Sequence, residues 1–184
     1  SADSGATWTE VTSTGVGKSW YSITSSSDGT KLAAVVNNGN IWTSADSGAT
    51  WTEVTSTGVG KSWYSITSSS DGTKLAAVVN NGNIWTSADS GATWTVDTSV
   101  GDIKAWSSIT SSSDGTKLAA TVYNGNIWTS ADSGATWTEV TSTGVGKSWY
   151  SITSSSDGTK LAAVVNNGNI WTSADSGATW TEVT

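Results

Sequence analysis

The sequence contains no cysteine, histidine, methionine, phenylalanine or proline, and because arginine is also missing every cationic side chain is a lysine. Without cysteine and histidine the chain has no thiolate nucleophile, no imidazole base, no disulfide and no ordinary zinc, copper or haem ligand set. A serine nucleophile would lack its usual histidine base. These absences exclude most hydrolytic and metal-dependent chemistry, and we expect no cofactor.

The balance of charge narrows the possible partners. Lysines number 8 against 15 carboxylates, and the formal net charge is −7. Such a surface repels phosphate backbones, and it lacks the arginine side chains that grip phosphates and read bases. No run approaches the roughly 18 apolar residues of a membrane-spanning helix. We therefore expect neither nucleic acid nor a membrane as a partner.

What the sequence has in abundance is repetition. The phrase SADSGATW begins at Ser1, Ser44, Ser87, Ser130 and Ser173, so that successive copies lie 43 residues apart. The chain consists of repeats 1–43, 44–86, 87–129 and 130–172, followed by a partial repeat, 173–184. A period of this size is typical of propellers, solenoids and other arrays.

Three of the four repeats are identical letter by letter. Neutral drift would have scattered silent changes, so this identity indicates an engineered or recently amplified symmetric protein. Only the third repeat departs: it reads TVDTSVGDIKAWSSI for TEVTSTGVGKSWYSI and TVYNGN for VVNNGN. Its length is unchanged, and we interpret it as a tolerated variant of the same unit.

Short β-forming runs separated by turn signals fill each repeat. In the first two repeats the runs are 19–26, 31–36, 40–44 and 50–55, and the turns are SDGT, NNG and ADSGA. No apolar period of 3.6 residues points to helices. The sequence predicts an all-β fold, a β-propeller of four-stranded antiparallel blades with a 43-residue repeat. Residues 1–184 would form a single propeller or half of one.

The repeated phrase has the composition of a hairpin clasp. Its aspartate can accept backbone N–H bonds, its glycine can take a positive φ, and its tryptophan can fill the gap between layers. The phrase matches the pattern S-x-D-x-G-x-T-W, by which the chain resembles the Asp-box, or BNR, repeats of sialidase-type propellers. The resemblance implies a structural turn between the third and fourth strands of each blade. The box residues are Asp3, Gly5, Trp8, Asp46, Gly48, Trp51, Asp89, Gly91, Trp94, Asp132, Gly134, Trp137, Asp175, Gly177 and Trp180.

The same resemblance argues against catalysis. Sialidases of this type hold the substrate carboxylate with an arginine cluster, and this chain has no arginine. Identical repeats also provide no two carboxylates in unlike environments, as glycosidic chemistry requires. Each lysine after Asp-Gly-Thr is interpreted as a solvated strand end, and one aspartate per box is too few for calcium. We expect a non-enzymatic structural scaffold.

The 13 tryptophans raise carbohydrate binding as the alternative function, because exposed aromatic rings stack on sugars. We assign Trp8, Trp42 and their copies to packing between blades. The rings beside the TGVGK loops and their counterpart in the third repeat are the candidates for exposure and ligand binding. They are Trp20, Tyr21, Trp63, Tyr64, Trp106, Trp149 and Tyr150.

Two ways of closing the ring remain open from the sequence. Four blades could close on themselves, or two chains could join as half-rings. An open arc would leave apolar end faces in water. Because residues 1–12 duplicate 173–184, one fourth strand is redundant in a four-bladed ring and must be displaced, left free or exchanged with a second chain. We favour a homo-oligomer, a dimer that completes the ring.

Overall fold

The structure is a computed structural model that describes residues 1, 5–144 and 146–184. In that part of the chain all regular secondary structure is β-strand, in 16 strands. It accordingly contains no helix long and apolar enough to cross a membrane. The strands form four blades, which confirms the predicted all-β fold of four-stranded antiparallel units.

Each blade contains one long or medium first strand, a second strand of small apolar residues, and two shorter outer strands. Blade 1 contains β1 (Trp20–Ser25), β2 (Leu32–Gly39), β3 (Ile41–Ser44) and β4 (Thr52–Val54). Blade 2 contains β5 (Lys61–Ser68), β6 (Leu75–Gly82), β7 (Ile84–Ser87) and β8 (Thr95–Asp97). Blade 3 contains β9 (Lys104–Ser111), β10 (Leu118–Gly125), β11 (Ile127–Ser130) and β12 (Thr138–Val140). Blade 4 contains β13 (Lys147–Ser154), β14 (Leu161–Val165), β15 (Ile170–Ser173) and β16 (Thr181–Val183).

Strands of one blade pair antiparallel in chain order. In blade 1, Ala34 of β2 lies opposite Ile23 of β1 on one side and Trp42 of β3 on the other, and Trp42 lies opposite Glu53 of β4. A sequence repeat therefore supplies the fourth strand of one blade and the first three strands of the next.

Neighbouring blades are joined by a short ladder at the end of each second strand. Asn37 and Gly39 pair with Ser62 and Lys61 of the next blade. The strand predicted to end at residue 36 consequently runs to Gly39 in blade 1, and its equivalents do the same in blades 2 and 3. In blade 4 the second strand stops at Val165. The NNG turn is thus extended only where a following blade is present to pair with it.

The hydrophobic core lies between blades. At the first joint Ala33, Val35, Ile41 and Val54 of blade 1 cluster with Trp63, Ile66, Leu75, Ala77 and Val79 of blade 2. Equivalent clusters fill the second and third joints. Each blade therefore has two apolar sides: a trailing face, made of the first set of residues, and a leading face, made of the second set.

The third repeat keeps its joint packed through paired changes. Asp97 replaces the valine that ends the fourth strand in blades 1 and 3, and Val100 replaces a loop threonine and enters the core of the second joint. Ser107 and Thr121 replace a tyrosine and a valine, and their hydroxyl oxygens lie 2.8 Å apart in a hydrogen bond. The variant repeat thus places a valine three residues later in the chain, at Val100, and has a hydrogen-bonded hydroxyl pair at the positions of a tyrosine and a valine.

The four blades do not close on one another. Across residues 5–144 and 146–184, no strand of blade 1 pairs with a strand of blade 4. The leading face of blade 1 and the trailing face of blade 4 are therefore uncovered, and the small closed ring of four blades is not formed.

Candidate functional site

The repeated SADSGATW turns are built around one carboxylate each. Thr50 donates to Asp46 from its backbone N–H at 2.8 Å and from its hydroxyl at 2.6 Å, and the Ser44 hydroxyl donates to the same carboxylate at 2.8 Å. The N–H of Gly48 in turn donates to the Ser44 hydroxyl oxygen at 2.9 Å. The turns at Asp89, Asp132 and Asp175 repeat this network. Asp3 lies outside the described residues.

Hydrogen bonds to the carboxylates lower the pKa values of these aspartates. The Thr93 hydroxyl and N–H, together with the Ser87 hydroxyl, lower the pKa of Asp89 from 3.8 to about 2, and Asp175 is lowered to about 2 in the same way. The pKa values of Asp46 and Asp132 are lowered too, most by the hydroxyls of their threonines. A carboxyl group held ionised in this way is a poor proton donor, so the turns are suited to structure rather than acid catalysis.

The backbone reversal uses two left-handed residues, of which sequence reasoning identified only the second. Gly48 has φ +87°, and the preceding Ser47 has φ 58°. A serine in that region is uncommon and carries no sequence signal of its own. Trp51 closes the turn by donating from Nε1 to the Gly48 carbonyl at 3.1 Å.

The lysines after Asp-Gly-Thr have a different place from the one predicted. Lys31 donates from Nζ to the Ser90 hydroxyl at 3.1 Å. Lys74 donates likewise to Ser133 at 3.1 Å, and Lys117 to Ser176 at 3.2 Å. The interpretation as solvated strand ends is wrong for these three, because each lies against the box turn of the next blade. Lys160 of blade 4 is exposed.

The aromatic candidates separate into buried and exposed rings. Trp63, Trp106 and Trp149 are fully buried at the three joints, so the expectation that they are exposed is wrong. The preceding blade covers them. Trp20 is 42% exposed, and Tyr21 and Tyr150 are also exposed. Tyr64 is partly buried and contacts Tyr21, with ring centroids 4.9 Å apart and the ring planes tilted by 56°.

The uncovered leading face of blade 1 contains residues that are buried elsewhere. Ile23 is 63% exposed, whereas its equivalent Ile66 is 4% exposed. A cavity of about 400 Å³ opens here, lined by Val11, Thr14, Trp20, Tyr21, Ser22, Ile23, Ala34 and Trp51. Its position is the one that the trailing face of a preceding blade occupies at the three internal joints.

The uncovered trailing face of blade 4 is the counterpart. Ile170 is 50% exposed and Val183 is 48% exposed, whereas their equivalents Ile41 and Val54 are 0% and 8% exposed. Val164 is exposed as well, although Val35 is buried. The chain thus presents one half of the internal joint at each end of its series of blades.

Outside the box turns and the two end faces, few side chains with catalytic or metal-binding chemistry come together. In the described part of the chain no three Asp or Glu side chains come together in a group that could hold a metal ion. The first box differs from the others in that Trp8 is 79% exposed, whereas Trp51 is half-buried. The assignment of Trp8 to packing between blades is therefore wrong, because no blade in this chain covers it. The two end faces and the first box are therefore the features that the fold itself does not use.

Solved structures with this arrangement of strands are β-propellers. The GH74 enzyme of Niastella koreensis has a TM-score of 0.66 and 20% identity over 88% of this chain and 24% of its own. YCF48 from Cyanidioschyzon merolae has a TM-score of 0.64 and 13% identity over 91% of this chain and 57% of its own. The RRP9 WD40 repeats have a TM-score of 0.71 and 13% identity over 91% of this chain and 52% of theirs.

The chain spans about a quarter of the length of the GH74 enzyme and a little over half of the lengths of the other two. No protein-family model and no curated protein matches the sequence. At these identities the structural likeness establishes the fold alone. The chain is accordingly a series of four β-propeller blades.

Proposed function

We propose that the chain is a non-enzymatic structural scaffold whose two uncovered faces join head to tail with a second copy, so that two half-rings complete one propeller. The observation that carries this proposal is the match between the faces. Trailing-face residues of the type Val164 and Ile170 already pack on leading-face residues of the type Trp20 and Ile23 at three joints within the same chain.

Polar contacts also support the match between the trailing face of blade 4 and the leading face of blade 1. At the internal joints a lysine donates a hydrogen bond to the box serine of the next blade. Within the described ranges 5–144 and 146–184, Lys160 and Ser47 are the members of this series that have no such partner across a joint. The N–H of Ser27 donates to the Ser70 carbonyl at 2.7 Å, and this contact also recurs from blade to blade. A second copy would supply the missing member of each pair.

We also propose that the turns are Asp boxes and that the chain has an engineered or recently amplified origin. Two features support the Asp-box identity. The Ser, Asp, Gly and Thr side chains and N–H groups form the same hydrogen bonds in all four copies within blades 1–4. Trp51, Trp94 and Trp180 also donate to the carbonyl of the box glycine, whereas Trp137 does not. The absence of catalysis rests on the missing histidine, cysteine and arginine and on aspartates whose pKa values are lowered by hydrogen bonds.

Carbohydrate binding is the second candidate, and the cavity beside Trp20 and Tyr21 favours it. Its lining includes three aromatic residues, Trp20, Tyr21 and Trp51, and the hydroxyl-bearing Thr14 and Ser22. The same cavity lies where a preceding blade would pack, so a sugar and a second copy would compete for it. Titration of the chain with a panel of sugars, followed by tryptophan fluorescence, tests this candidate. A sugar that shifts the fluorescence saturably and also dissociates the dimer would favour carbohydrate binding over the scaffold.

The test of the scaffold is the absolute mass in solution, by light scattering after size-exclusion chromatography. We expect a mass twice the 18.8 kDa of one chain at high concentration. Ile170→Asp should give monomers, because a carboxylate on the trailing face cannot be buried unpaired. Ile103→Asp is the matched control, since Ile103 is exposed on a loop between blades 2 and 3. A wild-type monomer at all concentrations contradicts the proposal.

A further inference from the structure

The outer edge of β15 is held by a strand that has a duplicate in the chain. Val183, Glu182 and Thr181 of β16 lie opposite Ile170, Trp171 and Thr172 of β15. Asn169 adds a side-chain hydrogen bond to Glu182 at 3.0 Å. The ring of Trp180 packs against Trp149 with centroids 6.4 Å apart. β16 is thus fixed by the outer edge of its own blade.

The duplicate lies at residues 1–12, which match 173–184 letter by letter. Its described residues share one contact with the last box: the N–H of Gly5 donates to the Ser1 hydroxyl at 2.8 Å, as Gly177 donates to Ser173 at 2.9 Å. Gly5 and Gly177 also share a φ of about 90°, at 89° and 90°. Residues 9–11 nevertheless form no strand, and Trp8 is exposed. Residues 9–11 therefore have the sequence of a fourth strand but pair with no third strand in the described part of this chain.

The path of the chain brings this duplicate to the joint. At the first internal joint Val54 ends a fourth strand, Thr57 is buried in the connecting loop, and Trp63 begins the next leading face. Residues 12–20 repeat the sequence of 55–63, Thr14 is likewise buried, and Val11 lines the cavity beside Trp20. A second copy docked in the geometry of the internal joints would therefore place its residues 9–11 where β16 lies.

We infer that the edge of β15 is a strand-acceptor site with two competing occupants, the chain's own Thr181–Val183 and Thr9–Val11 of a second copy, and that head-to-tail assembly exchanges one for the other. This inference rests on the assembly proposed above. Both occupants offer the same side chains to the acceptor: a glutamate for Asn169, a valine for the joint and a tryptophan for the ring of Trp149. The two occupants also order the same number of residues. Residues 12–184 are ordered when the chain's own strand is bound, and residues 1–173 are ordered when the strands are exchanged. The conformational entropy lost by the chain therefore favours neither occupant.

Aspartate substitutions test the competition, because each disables one occupant. Val183→Asp should leave the dimer dissociation constant within about threefold of the wild type, since Val11 of the second copy takes the place in the joint. Val11→Asp should behave alike, since Val183 remains. The double variant has no valine for the joint, and its dissociation constant should rise at least about tenfold, equivalent to about 1.4 kcal/mol. Circular dichroism of each variant checks that the blades remain folded.

The outcomes separate the exchange from the assembly. A dimer lost with Val183→Asp alone overturns the exchange and retains the assembly, because β16 is then the sole occupant. A double variant that dimerises like the wild type overturns the exchange, because neither strand is then needed at the joint. A wild-type chain that is monomeric at all concentrations overturns both.

Disulfide trapping identifies the occupant directly. Because the chain has no native cysteine, only the introduced cysteines can form disulfides. Directly opposed strand residues lie within disulfide reach. Thr9→Cys with Thr172→Cys should give covalent dimers on oxidation at concentrations where the dimer forms. Thr172→Cys with Thr181→Cys is the matched control and should give an intrachain bond in β15–β16. A mass of two chains without a covalent dimer in the first variant overturns the exchange.

Discussion

The Nζ of Lys74 lies 3.1 Å from the hydroxyl oxygen of Ser133, so a lysine that follows a hairpin of blade 2 holds the box turn of blade 3. The two residues are 59 positions apart, and each is part of a repeated motif that functions locally as a turn. The Cβ of Lys74 also lies close to Gly115, where a side chain would have no room. Lysine, box turn and hairpin glycine together align each blade with the next.

Acid should weaken the fold in a defined range. The pKa of Asp89 is about 2 in the folded chain and 3.8 for an ordinary aspartate, so its contribution to stability is complete above about pH 4 and is lost as the pH falls through about 2. Asp28, Asp114 and Asp175 have lowered pKa values of about 2 as well. We expect the urea midpoint, followed by tryptophan fluorescence, to fall between pH 4 and pH 2.

Substitution of the box threonine Thr93 provides the control for that pH dependence. Its hydroxyl is the largest cause of the lowered pKa of Asp89. Thr93→Val should raise this pKa toward its ordinary value and make the loss of stability with acid shallower. An unchanged pH profile in this variant would contradict the assignment.

Equivalent isoleucines in covered and uncovered positions should differ in their contribution to stability. Ile66 is 4% exposed at the first joint, and Ile66→Ala should lower the free energy of unfolding by about 2 to 5 kcal/mol. Ile23 occupies the same place in blade 1 at 63% exposure, and Ile23→Ala should cost under about 0.5 kcal/mol in dilute solution. Urea unfolding at low chain concentration measures both, and equal losses would show that the faces are covered in the single chain.

The hydroxyl pair of the third repeat should be coupled. Ser107→Ala leaves the fully buried Thr121 hydroxyl without this partner and should cost about 1 to 3 kcal/mol. Adding Thr121→Val, which restores the valine of the other repeats, should recover most of the loss. A double-mutant cycle by urea unfolding measures the coupling, and additive losses would contradict it.

Val100 and Asp97 of the third repeat should be coupled in the same way. Val100 is buried in the second joint, where the fourth-strand residue is Asp97. Val100→Thr should cost about 1 to 3 kcal/mol because it buries a hydroxyl and leaves the joint without either valine. Combining it with Asp97→Val recreates the arrangement of the first and third joints and should restore the stability. Thermal unfolding of the three proteins checks the order.

Strand number and the positions of turns could be predicted from the sequence because they depend on local residue types and a fixed period. The extension of β2 to Gly39 could not, because it requires Lys61 and Ser62 of another blade. The burial of Trp63 beside the glycine-containing TGVGK loop was missed for the same reason: exposure was judged from the neighbouring residues, whereas Ala33 and Val35 of the preceding blade pack against the ring. Local chemistry predicted the blades, and contacts 20 or more residues away determined which of their faces are uncovered.

The two uncovered faces differ from each other, and this gives the chain a direction. In the proposed assembly a trailing face with Ile170 packs on a leading face with Ile23, because faces of these two types already meet at the three joints within the chain. Every chain added to such a series covers one face and presents another of the same kind. Growth ends only when the last trailing face meets the first leading face. The rotation from one blade to the next therefore sets the number of chains, and a small change in the packing at one joint, repeated at every joint, would convert a closed ring into an open helical fibre.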